Sequence, residues 1–304
     1  IVETGNHGMK PVSFDYFAPT TVNEAVALLE EHGEDAKILA GGQSLVPMMN
    51  FRLVRPTCLV DINQIKDLAY IHEKDDRLHI GAITRHRDLE TSTLVQQCNG
   101  LLFEGVQLIG HTAIRTRGTV GGSIIHADPT AELPAILAAL DGEVRLIGPN
   151  GQRTISWRDL FVTFFTTVIE PVEICDEIII PKLPSGAGWA FEEFTRRHGD
   201  FAVAGVAAVI VTDNNDRCTD ARLAITGTAP TPIRATQAEL FLVGKSLTQT
   251  TLDEAGRLVS TEVEPESDVH ATADYRKHLA GALTTRALQR AVERCHSRKD
   301  QQEK

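Results

Sequence analysis

Two glycine pairs, Gly41-Gly42 and Gly121-Gly122, restrict what this chain of 304 residues can fold into more than any other feature. The first follows the apolar run Ile38-Leu39 in Ala40-Gly41-Gly42-Gln43-Ser44-Leu45. The second lies in Thr119-Val120-Gly121-Gly122-Ser123 and leads into Ile124-Ile125-His126-Ala127-Asp128-Pro129. Paired glycines remove the side-chain barrier to unusual φ values, so successive backbone N–H groups can turn toward one anion, and a hydroxyl follows each pair to donate another hydrogen bond. Two such loops are expected to clasp a pyrophosphate. Neither is a G-x-G-x-x-G turn opening a βαβ unit, and no G-x-x-x-x-G-K-[ST] string exists. A nucleotide fold of another kind is required.

Composition narrows the partners. A formal charge of −11 and a pI near 5.5 argue against nucleic acid, which is bound through clustered Lys and Arg. No apolar run approaches the ~20 residues that a membrane-spanning helix needs. Cys58, Cys98, Cys175, Cys218 and Cys295 are scattered, without a Cys-x-x-Cys pair, and read as reduced intracellular thiols rather than a zinc or iron–sulfur framework. No metal site is expected in this chain, and the cytoplasm is the default location. Residues 1–9 read as a leader or cloning remnant.

Along the chain, Thr21-Val22-Asn23-Glu24 forms a capping box for a helix ending near Gly33, and Ala36–Leu39 and Cys58–Ile62 read as strands with a turn through Val46–Phe51 between them. Residues 10–62 form a first subdomain. In a second, residues 63–181, strands are expected at Leu68–His72, Leu78–Ala82 and Ile178–Pro181, helices at Asp88–Thr93, Leu101–Ile109 and Ala131–Leu140, and a hairpin at Val144–Ile147 and Arg153–Ser156. Residues 182–295 form a C-terminal domain with strands over Trp189–Thr195, Val203–Val211 and Arg222–Ile225 and helices over Ile233–Val243, Leu252–Leu258 and Tyr275–Cys295. Residues 296–304 are a frayed tail.

The combination Ala-Gly-Gly-Gln-Ser-Leu-Val-Pro (40–47), Leu-Val-Asp-Ile (59–62), Arg-Gly-Thr-Val-Gly-Gly-Ser (117–123), Ala-Asp-Pro-Thr-Ala-Glu-Leu-Pro-Ala (127–135) and Arg-Arg-His-Gly-Asp-Phe-Ala (196–202) resembles the FAD-binding medium subunit of molybdenum hydroxylases. That group includes carbon monoxide dehydrogenase and the flavin domain of xanthine dehydrogenase. The resemblance implies an α+β fold of the vanillyl-alcohol-oxidase/PCMH type, with FAD held between two subdomains and a C-terminal α+β domain beyond. It further implies a large molybdopterin subunit, a small subunit with two-iron two-sulfur clusters, a dimer of heterotrimers, and an external electron acceptor.

The site residues implied are Leu39 to Leu45 around the first glycine pair, and Ile109, Thr119, Gly121, Gly122, Ser123, His126 and Asp128 around the second. Asp128 would accept from ribityl hydroxyls, or else simply start a turn and cap the following helix. Glu132 occupies the position of an acidic residue near the flavin ring, although a carboxylate in a first helical turn is favoured in any case. Phe201 packs on the ring or is a core phenylalanine. His111, Ile114 and Arg115 would lie near the flavin; Arg196 and Arg197 would form an acceptor-gating loop or a solvated surface. Two other functions remain open at this point. One is a self-sufficient FAD-dependent reductase or oxidase, which needs its own acid–base pocket; the other is a non-redox nucleotide-binding scaffold.

Overall fold

In the computed structural model, residues 10–302 are described, with side chains to Ser297. The leader assigned to residues 1–9 and the last two residues of the tail lie outside that range.

The first sheet is parallel and three-stranded, in the order Asp15–Phe17, Cys58–Asp61, Ala36–Leu39. The helix Val22–His32 packs on it through Ala25, Val26 and Leu29. Thr21 and Glu24 form the expected capping box, and Gly33 ends the helix at φ +54°. The segment expected as a turn after the first glycine pair is the helix Leu45–Asn50. Pro47 lies within its first turn, where proline is well tolerated because its missing N–H would have no intrahelical partner.

The second sheet is antiparallel and five-stranded: Ile71–Lys74, Arg77–Gly81, Ile174–Pro181, Glu143–Gly148, Gly151–Ser156. Leu68, expected in a strand, ends a 3-10 turn instead. Sequence periodicity did not reveal the short helices Thr93–Cys98, which buries Val95 and Cys98, and Thr112–Arg117, which buries none of its residues; both precede the helix Glu132–Ala139 in the chain. All eight residues of that helix are buried.

The reason is the third sheet, ordered Gly188–Phe194, Ala204–Thr212, Cys218–Thr226, Ile233–Arg234. Its central strand is buried on both faces. Ala207 and Val209 join the core of the second subdomain, while Val206, Ala208 and Ile210 join the core under the helices Thr236–Leu242, Gln249–Glu262 and Ala273–Gln302. A strand covered on both faces reads as a continuous apolar run, which is what residues 203–211 are. The last helix continues to Gln302, so the segment from 296 is helical as far as it is described. All five cysteines are buried, and none is in a disulfide.

Candidate functional site

The two glycine pairs meet. A Cβ on Gly41 would stand 2.4 Å from the carbonyl oxygen of Arg117, and one on Gly122 would stand 3.8 Å from Cβ of Ala40. They do not do the same work. In the first loop Gly42 takes φ +71°, and the amides of Gly41, Gly42, Gln43 and Ser44 have no acceptor among the described residues. Gln43, one of the residues implied around the first glycine pair, turns its Nε2 back onto the Gly41 carbonyl at 3.0 Å. The Ser44 hydroxyl caps nothing.

The second glycine pair is not a loop but the first turn of the helix Val120–His126. The amides of Val120 and Gly121 donate to Thr84 and Ala82 carbonyls at 3.0 and 2.9 Å, and those of Gly122 and Ser123 to the Thr119 hydroxyl and carbonyl at 3.2 and 3.0 Å. The expectation that both loops offer backbone donors to one anion is therefore corrected. Glycine is needed at 121 and 122 for close approach: a Cβ would come 2.6 Å from Ala82 Cβ and 2.6 Å from Thr119 Oγ1, respectively.

Three residues that sequence reasoning passed over tie the two segments together. Asn63 Nδ2 donates to the Ala40 carbonyl at 2.7 Å, and its Oδ1 accepts from Arg85 Nη2 at 2.6 Å. The same guanidinium reaches the Arg117 carbonyl through Nη1 at 2.5 Å. His86 holds the next two carbonyls, Gly118 through its backbone N–H and Thr119 through Nε2, both at 3.0 Å. Burial holds its imidazole down at about 4, so it is the neutral ring that donates. No local pattern marks these residues, because every one of these side-chain bonds spans more than twenty positions of chain.

Asp128 Oδ1 accepts from both the amide and hydroxyl of Thr130, so it closes a turn; the helix that follows is capped by Ala131 without a side-chain bond. Its second carboxylate oxygen stays available. Ile109 is buried, and Arg115 is committed to Glu90 and to the carbonyls of Ile109 and Gly110. Arg115 thus shapes the backbone instead of facing a ligand. His126 is half-buried against the Phe165 ring, and burial lowers its pKa. Phe201 is 67 % exposed, which rules out a core role. Arg196 and Arg197 are exposed on the same segment, which reaches the second subdomain where His198 stacks on His111 at 5.6 Å.

Glu132 is buried at the start of its helix. Burial pushes its carboxyl up to about 8, with the charges of Glu193 and Asp128 adding to the rise. Burial likewise raises Glu193 to about 7. Glu193 Oε2 and Thr228 Oγ1 are buried polar atoms without hydrogen-bond partners. Four open amides suit an anionic group, and the buried polar atoms of Glu193 and Thr228 stand without partners from the protein.

A separate group, His72, His79 and Glu177, gathers three potential metal ligands. Arg145 and His79 each lie 3.0 Å from Glu177 Oε1, and Tyr70 donates to Oε2 at 2.6 Å, so the carboxylate is already neutralised. A cation there would meet the guanidinium.

Residues 12–183 match the family of the FAD binding domain in molybdopterin dehydrogenase, and residues 189–291 match that of the CO dehydrogenase flavoprotein C-terminal domain. The chain is 42 % identical over 292 residues to the 6-hydroxypseudooxynicotine dehydrogenase complex subunit alpha of Paenarthrobacter nicotinovorans, covering 96 % of this chain and 99 % of that one. It is 40 % identical to the carbon monoxide dehydrogenase medium chain of Hydrogenophaga pseudoflava, covering 94 % of this chain and all of that one. A solved structure of carbon monoxide dehydrogenase from the same organism superposes with a TM-score of 0.91 at 41 % identity, over 94 % of this chain and 99 % of that one. With the fold, the cofactor-domain match and the near-complete coverage agreeing, this chain belongs to the family of FAD-binding medium subunits of molybdenum hydroxylases.

Proposed function

We propose that this chain is the flavin relay of a cytoplasmic three-subunit hydroxylase, in which electrons taken from an organic substrate at a molybdopterin subunit pass through two-iron two-sulfur clusters to the FAD held here and on to an external acceptor. The observation that carries this reading is the run of open amides from Gly41 to Ser44, packed against the start of the helix Val120–His126. FAD, when bound, supplies the electron storage that no side chain can.

The residues of the chain bind and orient it. The amides of residues 41–44 and the hydroxyls of Ser44 and Ser123 donate to the pyrophosphate. Leu39, Ala40, Leu45, Ile109 and Thr119 wall the cleft, and Gly121 and Gly122 let the two segments close on it. Asp128 accepts from the ribityl chain. His126, Glu132 and the exposed Phe201 face the ring, with Phe201 covering it from water. Apolar side chains left exposed at Phe51, Leu53, Val162 and Phe165 support burial against partner subunits in a dimer of heterotrimers.

Co-expression with a molybdopterin subunit and a small iron–sulfur subunit tests this function. The complex should release its FAD into the supernatant on acid precipitation, and adding substrate should bleach the flavin band. Leaving out only the iron–sulfur subunit should stop the bleaching while FAD stays bound. Flavin reduction that survives this omission would show direct reaction with substrate and replace the relay with a self-sufficient flavoenzyme.

A further inference from the structure

Where the helix Glu132–Ala139 meets the third sheet, two carboxyls stand outside the pyrophosphate cleft. Strand register sets Glu193, Gly205 and Thr226 in one row across the sheet. Gly205 leaves a notch in the middle, since a Cβ there would come 2.8 Å from Thr226 Cγ2 and 3.4 Å from Glu193 Cβ. Thr226 Oγ1 lies 2.8 Å from the Pro129 carbonyl and 3.0 Å from that of Ala131, and the amide of Gly227 reaches Pro129 at 2.8 Å. These bonds seat the first turn of the helix, beginning at Glu132, over the row.

Glu132 is only 7 % exposed, and Glu193 Oε2 is buried without a hydrogen bond. Neither carboxyl has an ion-pair partner among the described residues. The other charged groups at this corner are Asp128, turned onto Thr130, and Arg276, whose guanidinium is committed to the carbonyls of Val203 and Gly227 and to Asp268. Burial raises both carboxyls and the charge of Glu193 adds to the rise at Glu132, so the two do not both ionise readily.

We propose that Glu132 and Glu193 act as one proton-holding pair beside the flavin, keeping one proton at neutral pH and taking a second from solvent when the flavin becomes more negative. The step forms one carboxyl O–H bond and breaks one O–H bond of a hydronium ion or buffer acid in the solvent, which keeps the conjugate base outside the pair. The electrons arrive from the iron–sulfur partner and stay on the flavin, and nothing in the pair is oxidised or reduced. The added proton offsets the charge that reduction places in a low-dielectric site, which makes the flavin easier to reduce. The pair's link to flavin rests on the proposed function; the pair itself does not.

Two measurements on the full chain separate these parts, each with E132Q, E193Q and the double variant. In the chain without FAD, thermal stability is followed from about pH 5 to about pH 8.5. Carboxyls that protonate more readily when folded lose their stabilising effect as pH rises, so the wild type should lose stability across this window. Removing either carboxyl should move the loss down by roughly one pH unit, and the two single effects should not add up to the double. A flat wild-type profile, or additive single effects, overturns the pair. In the FAD-loaded complex, the infrared difference between oxidised and dithionite-reduced protein should contain a carboxylic-acid carbonyl band absent from both single variants. No band, or one that persists in both, overturns the coupling to flavin. A complex that binds no FAD refutes the proposed function, and the pH profile of the chain alone then decides whether the pair exists.

Discussion

Gly42 stands at φ +71°, where a β-branched residue is strained, and a Cβ would press Val46 Cγ2 at 3.1 Å and Leu39 Cδ1 at 3.2 Å. Gly42→Val should therefore rotate the amides of residues 42–44 away from the pyrophosphate. Losing two charge-assisted hydrogen bonds at ~1.5–3 kcal/mol each lowers FAD affinity by at least about 100-fold, more than the strain lowers stability. Fluorescence titration with FAD beside a denaturation curve checks this, and an unchanged affinity would remove the first loop from the site. His86 gives a pH signature of opposite sign to the carboxyl pair. Its folded pKa of about 4 lies below the ordinary value of 6.5, so its contribution is complete above about pH 6.5 and is lost as pH falls toward 4. That loss is on the order of 3 kcal/mol. His86→Gln, which keeps a donor for the Thr119 carbonyl, should lack this acid-side slope in urea titrations run at several pH values.

Among the elements, the last helix and the edge strand under it are in close backbone contact. A Cβ on Gly188 would lie 1.8 Å from the Ala291 carbonyl oxygen, and the Gly188 amide is 3.0 Å from Cys295 Sγ. Gly188→Ala must push the helix Ala273–Gln302 off the sheet, so urea denaturation should reveal a loss of at least ~2 kcal/mol. The helix Val120–His126 depends on its cap. Thr119→Ala removes the acceptor of the Gly122 amide and should reduce stability by about 1 kcal/mol, read from the same kind of curve.

At the level of the whole molecule, the second subdomain and the C-terminal sheet share a core, in which Phe191, Ala207, Val209 and Ala224 pack with residues of the helix Glu132–Ala139. Ion pairs of Arg290 and Arg294 with Glu104 close the same boundary. A fragment ending at residue 183 would expose one face of that helix to water. It should show no cooperative thermal transition, although it contains the whole match to the FAD binding domain. A sharp transition in the fragment would mean that the two matched segments fold independently.

What the sequence determined by itself was whatever is encoded locally. Thr21 and Glu24 announce their helix because capping is a contact between residues three apart. The hairpin around Gly148–Gly151 and the doubly covered strand near 203–211 likewise declare themselves through turn chemistry and an unbroken apolar run. The family was legible in the motifs around both glycine pairs, and with it the cofactor. The use of each pair was not. The motif at Gly121-Gly122 reads the same whether its amides point at a ligand or into a helix, and only the placement of Thr84 and Ala82 as acceptors decided for the helix. Asn63, Arg85 and His86 acquire their roles through bonds to distant carbonyls, and Glu193 reaches the corner where the helix of Glu132 begins only because strand register sets it in one row with Gly205 and Thr226. Such juxtapositions follow from packing across elements, where the free energy of a position depends on neighbours that chain spacing does not specify.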